Sequence, residues 1–269
     1  MILQPKHKTI LVSVPKAGTY LAAQILQQLG LTDSHLHLRH DDQATGVYDF
    51  RGAPMKMSMK EQEQRFIPMP LHEALSMVHS NEFVLGHLPP IPEVKNQLYL
   101  DFKIVFLVRD LRDCLISHMR YMISIGGVSA AEHPWCTLQD EQERFKQYLI
   151  NYADKIGPLV NMKLIACWEY DLRNPYPGME IHKLHFEDLV SADQSAATAA
   201  VDSLSSFLGL AQRDDLDSII RHVIGAETLT KSGSQTFRDK YWSSFAEEWF
   251  TERILDAQGN NVNKLIDYA

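Results

Sequence analysis

Lys16, Gly18 and Thr19 lie in one turn, Pro15-Lys16-Ala17-Gly18-Thr19, which leaves a β-branched run and opens a helical one. A cation, a residue without a Cβ and a hydroxyl at a strand-to-helix turn are the parts of an anion site. Free backbone N–H groups and the positive end of the helix dipole meet there. A plain turn with a surface lysine has the same composition. A second set follows another apolar run: Arg109 offers a planar fork for phosphate oxygens, and Ser117 a hydroxyl from within the next helix. The structural alternative is that Asp110 and Asp113 cap this helix and pair with Arg109 and Arg112. His87, in Gly86-His87-Leu88-Pro89, is the third candidate, because imidazole alone has an unperturbed pKa suited to general base duty near neutral pH. By default, one histidine among twelve is a packed or exposed polar residue.

The first turn is not a Walker A loop. With Gly18 as that pattern's second glycine, Ser13 fills the place of its first glycine and Thr19 the place of its lysine. His35, His37 and His40, followed by Asp41 and Asp42, put alternate residues on one strand face, as metal ligands would be. No further Cys or His pattern joins them, so a solvated loop is preferred and no metal is expected. Tyr121 and Trp135 are candidates for the wall of a second substrate's pocket. Acidic Asp41, Asp42 and Asp49 would suit a cationic molecule if their loop folds over the site.

These groups need elements to position them. Residues 9–14 predict a strand ending at Pro15, and 20–30 a helix closed by glycine. The pattern repeats at 103–108, a buried strand, and 111–125, a helix stopping at Gly126-Gly127. Residues 83–86 and 181–186 read as two more strands. Strands alternating with helices imply an α/β fold with a central parallel β-sheet flanked by helices. Residues 35–70 show little periodicity and carry Gly46, Gly52, Pro54, Pro68 and Pro70, which predicts a long lid-like excursion from the sheet. Residues 193–208 and 214–224 read as helices and 228–238 as a polar loop. An aromatic-rich helix with Tyr241, Trp242, Phe245, Trp249 and Phe250 closes the chain and is expected to pack rather than bind. No repeat or linker marks a second domain, so residues 1–269 are read as one.

Composition narrows the partners. With 26 basic and 34 acidic side chains the net charge is −8, and no global positive field exists to hold a nucleic acid or an anionic bilayer. Any bound anion must be gripped locally. Cys114, Cys136 and Cys167 are odd in number and far apart, which argues against a disulfide framework and for a reducing compartment, so a cytoplasmic location is expected. The N-terminal run shows no export signal, and no apolar run reaches the roughly 18 residues of a membrane span.

Taken together, Val14-Pro15-Lys16-Ala17-Gly18-Thr19-Tyr20 and Arg109-Asp110-Leu111-Arg112-Asp113-Cys114-Leu115-Ile116-Ser117 resemble the two nucleotide signatures of the sulfotransferases that use 3′-phosphoadenosine 5′-phosphosulfate (PAPS). Gly86-His87-Leu88-Pro89 resembles the family segment that carries the catalytic histidine. Phe186-Glu187-Asp188-Leu189 is similar to its Tyr-Glu-Asp segment, and Phe237-Arg238-Asp239-Lys240 more loosely to its Phe-Arg-Lys-Gly loop. There are departures. Leu21 stands where members often place an adenine-stacking Trp, Phe186 replaces a tyrosine, Leu85 stands where some carry lysine, and Asp239-Lys240 replace Lys-Gly.

The resemblance implies a P-loop-like sulfotransferase architecture and a single activity. Lys16, Ala17, Gly18, Thr19 and Tyr20 would hold the 5′-phosphosulfate; Arg109, Ser117 and Arg238 would hold the 3′-phosphate. His87 would take the acceptor's proton, and Lys16 would neutralise charge on the leaving phosphate. PAPS is then the donor co-substrate and desulfated PAP the product. The acceptor would be a small molecule with a hydroxyl or amine, for example a specialised metabolite such as a guanidinium alkaloid, and a homodimer is compatible with this reading. The competing readings are a P-loop-like nucleotide kinase, which should carry the missing Walker lysine, and a PAP-binding scaffold without chemistry.

Overall fold

The computed structural model describes residues 7–41, 44–54, 57–99, 101–124, 128–153, 157–224 and 237–269. Its centre is a seven-stranded sheet in the order β4-β3-β2-β5-β1-β6-β7. The strands are β1 (Lys8–Ser13), β2 (Thr32–His40), β3 (Thr45–Asp49), β4 (Phe66–Pro68), β5 (Glu82–Gly86), β6 (Phe102–Val108) and β7 (Glu180–His185). The four strands expected from β-branched and apolar runs are β1, β5, β6 and β7. They lie side by side and parallel, Ile10 facing Val84 on one side and Ile104 on the other. Ile10, Leu11 and Val12 are fully buried, as are Ile104, Val105 and Phe106. Each such side chain contributes about 1.5–3 kcal/mol by leaving water. Helices flank the sheet; Thr19–Gln28 packs on β1 and β5 and against Leu216–Val223.

Residues 35–70 correct the expectation of an excursion. They carry most of β2 and all of β3 and β4, and the sheet is mixed: β2 is parallel to β5, but β3 runs antiparallel to β2, and β4 antiparallel to β3. Two local features hid these strands. His35 has φ 56°, where the register of β2 against β5 shifts between Asp33 and His37, a bulge that breaks the period-2 alternation. Gly46 is required because a Cβ there would lie 2.3 Å from the Ile67 carbonyl oxygen, and Pro68 is tolerated on the edge strand β4.

The remaining expectations fall close to the observed elements. The second signature's helix is Leu111–Ser124; Ile125 and the glycines after it lie outside the described residues. Asp193 caps Gln194–Leu208 through a 2.9 Å bond from the Ser195 N–H. The aromatic-rich end divides into Arg238–Tyr241 and Ser244–Arg253, and a short helix, Val262–Leu265, follows it. Trp242 packs edge-on against Phe250 at 5.6 Å, with its indole N–H donating to Glu247, so these aromatics close the core as expected. The loop 228–236 lies outside the described residues. Among the described residues no helix is long and apolar enough to cross a membrane, and no cluster of potential metal ligands is found.

Candidate active site

The carboxyl ends of β5, β1, β6 and β7 are neighbours in the sheet, and each feeds one candidate group: His87, the 14–19 turn, Arg109 and Phe186. In open α/β sheets the ligand crevice lies outside these ends, where the connections of neighbouring strands leave in opposite directions. Here β1 leads away towards β2 on one side and its neighbour β6 towards β7 on the other.

The turn after β1 is held in a shape few residues adopt. Lys16 has φ 69° and Gly18 φ 102°. The Ala17 N–H is taken by the Val14 carbonyl at 3.0 Å, which leaves Ala17 no donor for a ligand. The N–H groups of Gly18, Thr19 and Tyr20 find no partner among the described residues and open the helix, as an anion nest requires. A Cβ on Gly18 would sit 2.4 Å from Cδ2 of Phe186. Gly18→Ala therefore combines a left-handed backbone with overpacking, and is expected to lower stability by about 2–4 kcal/mol, read as a fall in the denaturant midpoint. An unchanged midpoint would mean that Phe186 does not press on the turn.

Lys16 reaches over the ring of Tyr121, its ammonium 3.7 Å from the centroid. Burial lowers its pKa to about 8. The Ser13 hydroxyl lies 2.7 Å from that of Thr19, so the Thr19 side chain is turned inward. The Nδ1 atom of His87 is 2.7 Å from the Ser13 carbonyl oxygen, to which it can only donate. Its Nε2 is then the basic nitrogen. The loop beyond is pinned by the Trp168 indole N–H, which donates to the Leu88 carbonyl at 2.8 Å. Burial, and then the Lys16 charge, bring His87 down to about 4 against one opposing contribution from the Ser13 hydrogen bond.

Arg109 stacks on Phe186, its guanidinium carbon 4.2 Å from the ring centroid, and its buried Nε has no partner. The aspartates weighed as its partners go elsewhere. Arg238 Nη2 contacts Asp110 at 2.8 Å and Asp113 at 3.0 Å, and Arg112 pairs with Glu247 at 2.8 Å and with Asp110 at 3.6 Å. Arg238, expected on a phosphate, is thus neutralised by two buried carboxylates. Ser117 is half-buried on the Leu111–Ser124 helix, with Arg120 and Tyr121 three and four residues on along the same face. The first and second motifs meet at Phe186, which touches Gly18 on one side and Arg109 on the other.

One residue beside the site escaped the sequence reading. His37, read as part of a solvated loop, lies on β2 with its ring 4.9 Å from that of His87, and burial followed by the His87 charge lowers it to about 3. Its cross-strand partner Tyr48 and then Phe66 continue a run of rings at 6.4 and 5.0 Å. The signal was the alternation of His37 with buried Leu36 and Leu38, obscured by the bulge at His35. Arg120 places its guanidinium carbon 3.5 Å from the Phe237 ring centroid. Trp135 is buried among Tyr148, Tyr152 and His133, a packed aromatic position, while Tyr121 is at the site beside Lys16.

A parallel α/β core with an anion turn after its central strand, a half-buried lysine and a histidine aimed by a backbone carbonyl has the parts of a group-transfer site for a phosphorylated ligand. The sulfotransferase domain matches residues 6–236, and the chain belongs to that family. Its fold is similar to mouse sulfotransferase SULT7A1 complexed with PAP, at 15% identity and TM-score 0.50, covering 98% of this chain and 89% of that one. It is also similar to retinol dehydratase in complex with androsterone and the inactive cofactor PAP, at 15% identity and TM-score 0.58, covering 94% of this chain and 82% of that one. No curated protein sequence matches the chain.

Proposed function

We propose that the chain transfers the sulfuryl group of PAPS to a hydroxyl or amine of a small-molecule acceptor. The observation that carries this is the shared contact at Phe186: the turn after β1 and the arginine after β6 lean on one ring, near enough to serve two ends of one nucleotide. The N–H groups of Gly18, Thr19 and Tyr20 hold the 5′ end, while Arg109 and Ser117 hold the 3′-phosphate and exclude ATP. The acceptor oxygen or nitrogen attacks sulfur as the bond from sulfur to the bridging oxygen breaks. The proton passes to Nε2 of His87, and the electron pair stays on the 5′-phosphate of PAP, where the Lys16 ammonium stabilises it. All charge rearrangement is met by groups already in position.

For the acceptor, the acids that would draw a guanidinium alkaloid are engaged. Asp41 accepts from Arg39 at 2.7 Å and Asp49 is bonded by Arg51 Nε at 2.9 Å; Asp42 lies outside the described residues. The ring surface of His37, Tyr48 and Phe66 running from His87 favours an uncharged acceptor instead. Calorimetric titration with PAP and with ATP plus magnesium tests the donor: PAP is expected to bind and ATP not, and the reverse order would favour a kinase. Arg109→Ala is expected to weaken PAP by about ten- to a hundredfold through loss of a charge-assisted bond. Unchanged PAP affinity would remove Arg109 from the 3′-phosphate.

A further inference from the structure

Two imidazoles stand side by side towards the carboxyl ends of β2 and β5. His37 is paired with Leu85 in the sheet, and its ring centre lies 4.9 Å from that of His87, with the planes inclined at 59°. Both rings are half-buried. Nδ1 of His87 is taken by Ser13, which leaves Nε2 free, and neither ring nitrogen of His37 has a hydrogen-bond partner among the described residues. An enclosed polar group without a partner is costly, and is ordinarily matched by a ligand or a water. Burial first, and then the neighbouring charge, hold His37 near 3 and His87 near 4, so two neutral rings meet without repulsion. The hydroxyls around them are already bonded. That of Tyr48 donates to Glu63 at 2.9 Å and accepts from Arg39 at 3.2 Å, and Gln62 donates to that of Tyr121 at 3.4 Å. The short helix Met59–Glu63 thereby ties the ring of Tyr48, beside His37, to the ring of Tyr121, beside Lys16. The crevice offers flat apolar faces and, next to one another, the free nitrogens of two imidazoles.

From this arrangement we infer that the acceptor is a flat aromatic ring with hydroxyls on two neighbouring carbons, and that His37 is the residue that selects the second hydroxyl. The inference rests on the sulfuryl-transfer reading and deepens it by naming the acceptor class. The first hydroxyl gives its proton to Nε2 of His87 as its oxygen attacks sulfur. The second stays a hydroxyl, hydrogen-bonded to His37, and no bond or proton changes there. Neighbouring hydroxyl oxygens are closer together than the 4.9 Å between the ring centres, so each can reach one imidazole. A ring with a single hydroxyl would cover His37 and leave its nitrogens unpaired.

The test compares 2-naphthol with naphthalene-2,3-diol, by kcat/KM for transfer from PAPS and by calorimetric binding to the chain saturated with PAP. The unaltered chain is expected to prefer the diol by about ten- to a hundredfold. His37→Phe keeps a ring against His87 but no hydrogen bond. Its preference should fall to the small factor that two equivalent hydroxyls give by number alone, chiefly through a higher KM for the diol. Unchanged PAP affinity shows that the variant has folded. His37→Gln returns a polar atom and should recover part of the preference. If His37 only packs on His87, His37→Phe changes kcat for both acceptors alike or for neither and keeps the preference, which overturns the assignment. An unaltered chain that binds PAP but takes the two naphthols equally, or neither of them, overturns it without any variant. An unaltered chain that does not bind PAP removes the donor reading itself, and this inference with it.

Discussion

His87→Ala lowers turnover by about two to four orders of magnitude while PAP affinity stays within about threefold. The size follows from the general-base role proposed for the ring. Its Nδ1–H is committed to the Ser13 carbonyl, which fixes both the tautomer and the direction of Nε2. Alanine leaves the acceptor proton without a fixed base, but removes nothing from the turn after β1 or from Arg109. With its pKa near 4, His87 is neutral through the whole physiological range, and an anionic donor beside it raises the value. Stopped-flow single turnover with PAPS, paired with calorimetry on PAP, separates the two effects. Collapse of PAP binding together with the rate would show that His87 is part of the donor site instead.

Lys16→Met costs about a hundred- to a thousandfold in turnover, the range for removing one preorganised charge from a transition state. The pH profile identifies the cause. In the proposed mechanism Lys16 acts protonated and His87 unprotonated in the free protein, so kcat/KM is expected to fall below about pH 4 and above about pH 8. The alkaline limb of kcat lies higher, because bound nucleotide places negative charge against the ammonium and raises its pKa. Lys16→Met should erase the alkaline limb and keep the acid one. A variant that retains both limbs would assign the upper one to another group.

How far the chain could be read depended on how local the cause of each feature is. The buried strands β1, β5 and β6 announce themselves because every residue of Ile10-Leu11-Val12 or Val105-Phe106-Leu107 faces a covered surface. The turn after β1 was legible because Gly18 is needed for both its φ and its contact with Phe186. β2 to β4 were not, since an antiparallel edge with one wet face tolerates His, Arg and Pro, and the bulge at His35 shifts the pattern midway. The ion pairs of Arg238 were hidden for a different reason. Its partners Asp110 and Asp113 stand far away in sequence, on the very motif it was expected to assist, and nothing local distinguishes an arginine held by carboxylates from one awaiting a phosphate. His37 reaches His87 only because β2 crosses over to lie beside β5.

The position of β1 at the middle of the five parallel strands also shapes the biography of the chain. It is made before the other strands of the sheet, yet those on either side of it, paired through Phe83 and Phe102, are made much later. During synthesis an apolar segment with both edges open must wait, unprotected, for distant chain to arrive, which makes for slow assembly and a hazard of clumping. Low growth temperature or a holdase during overproduction should therefore raise the soluble yield more than any change to the surface.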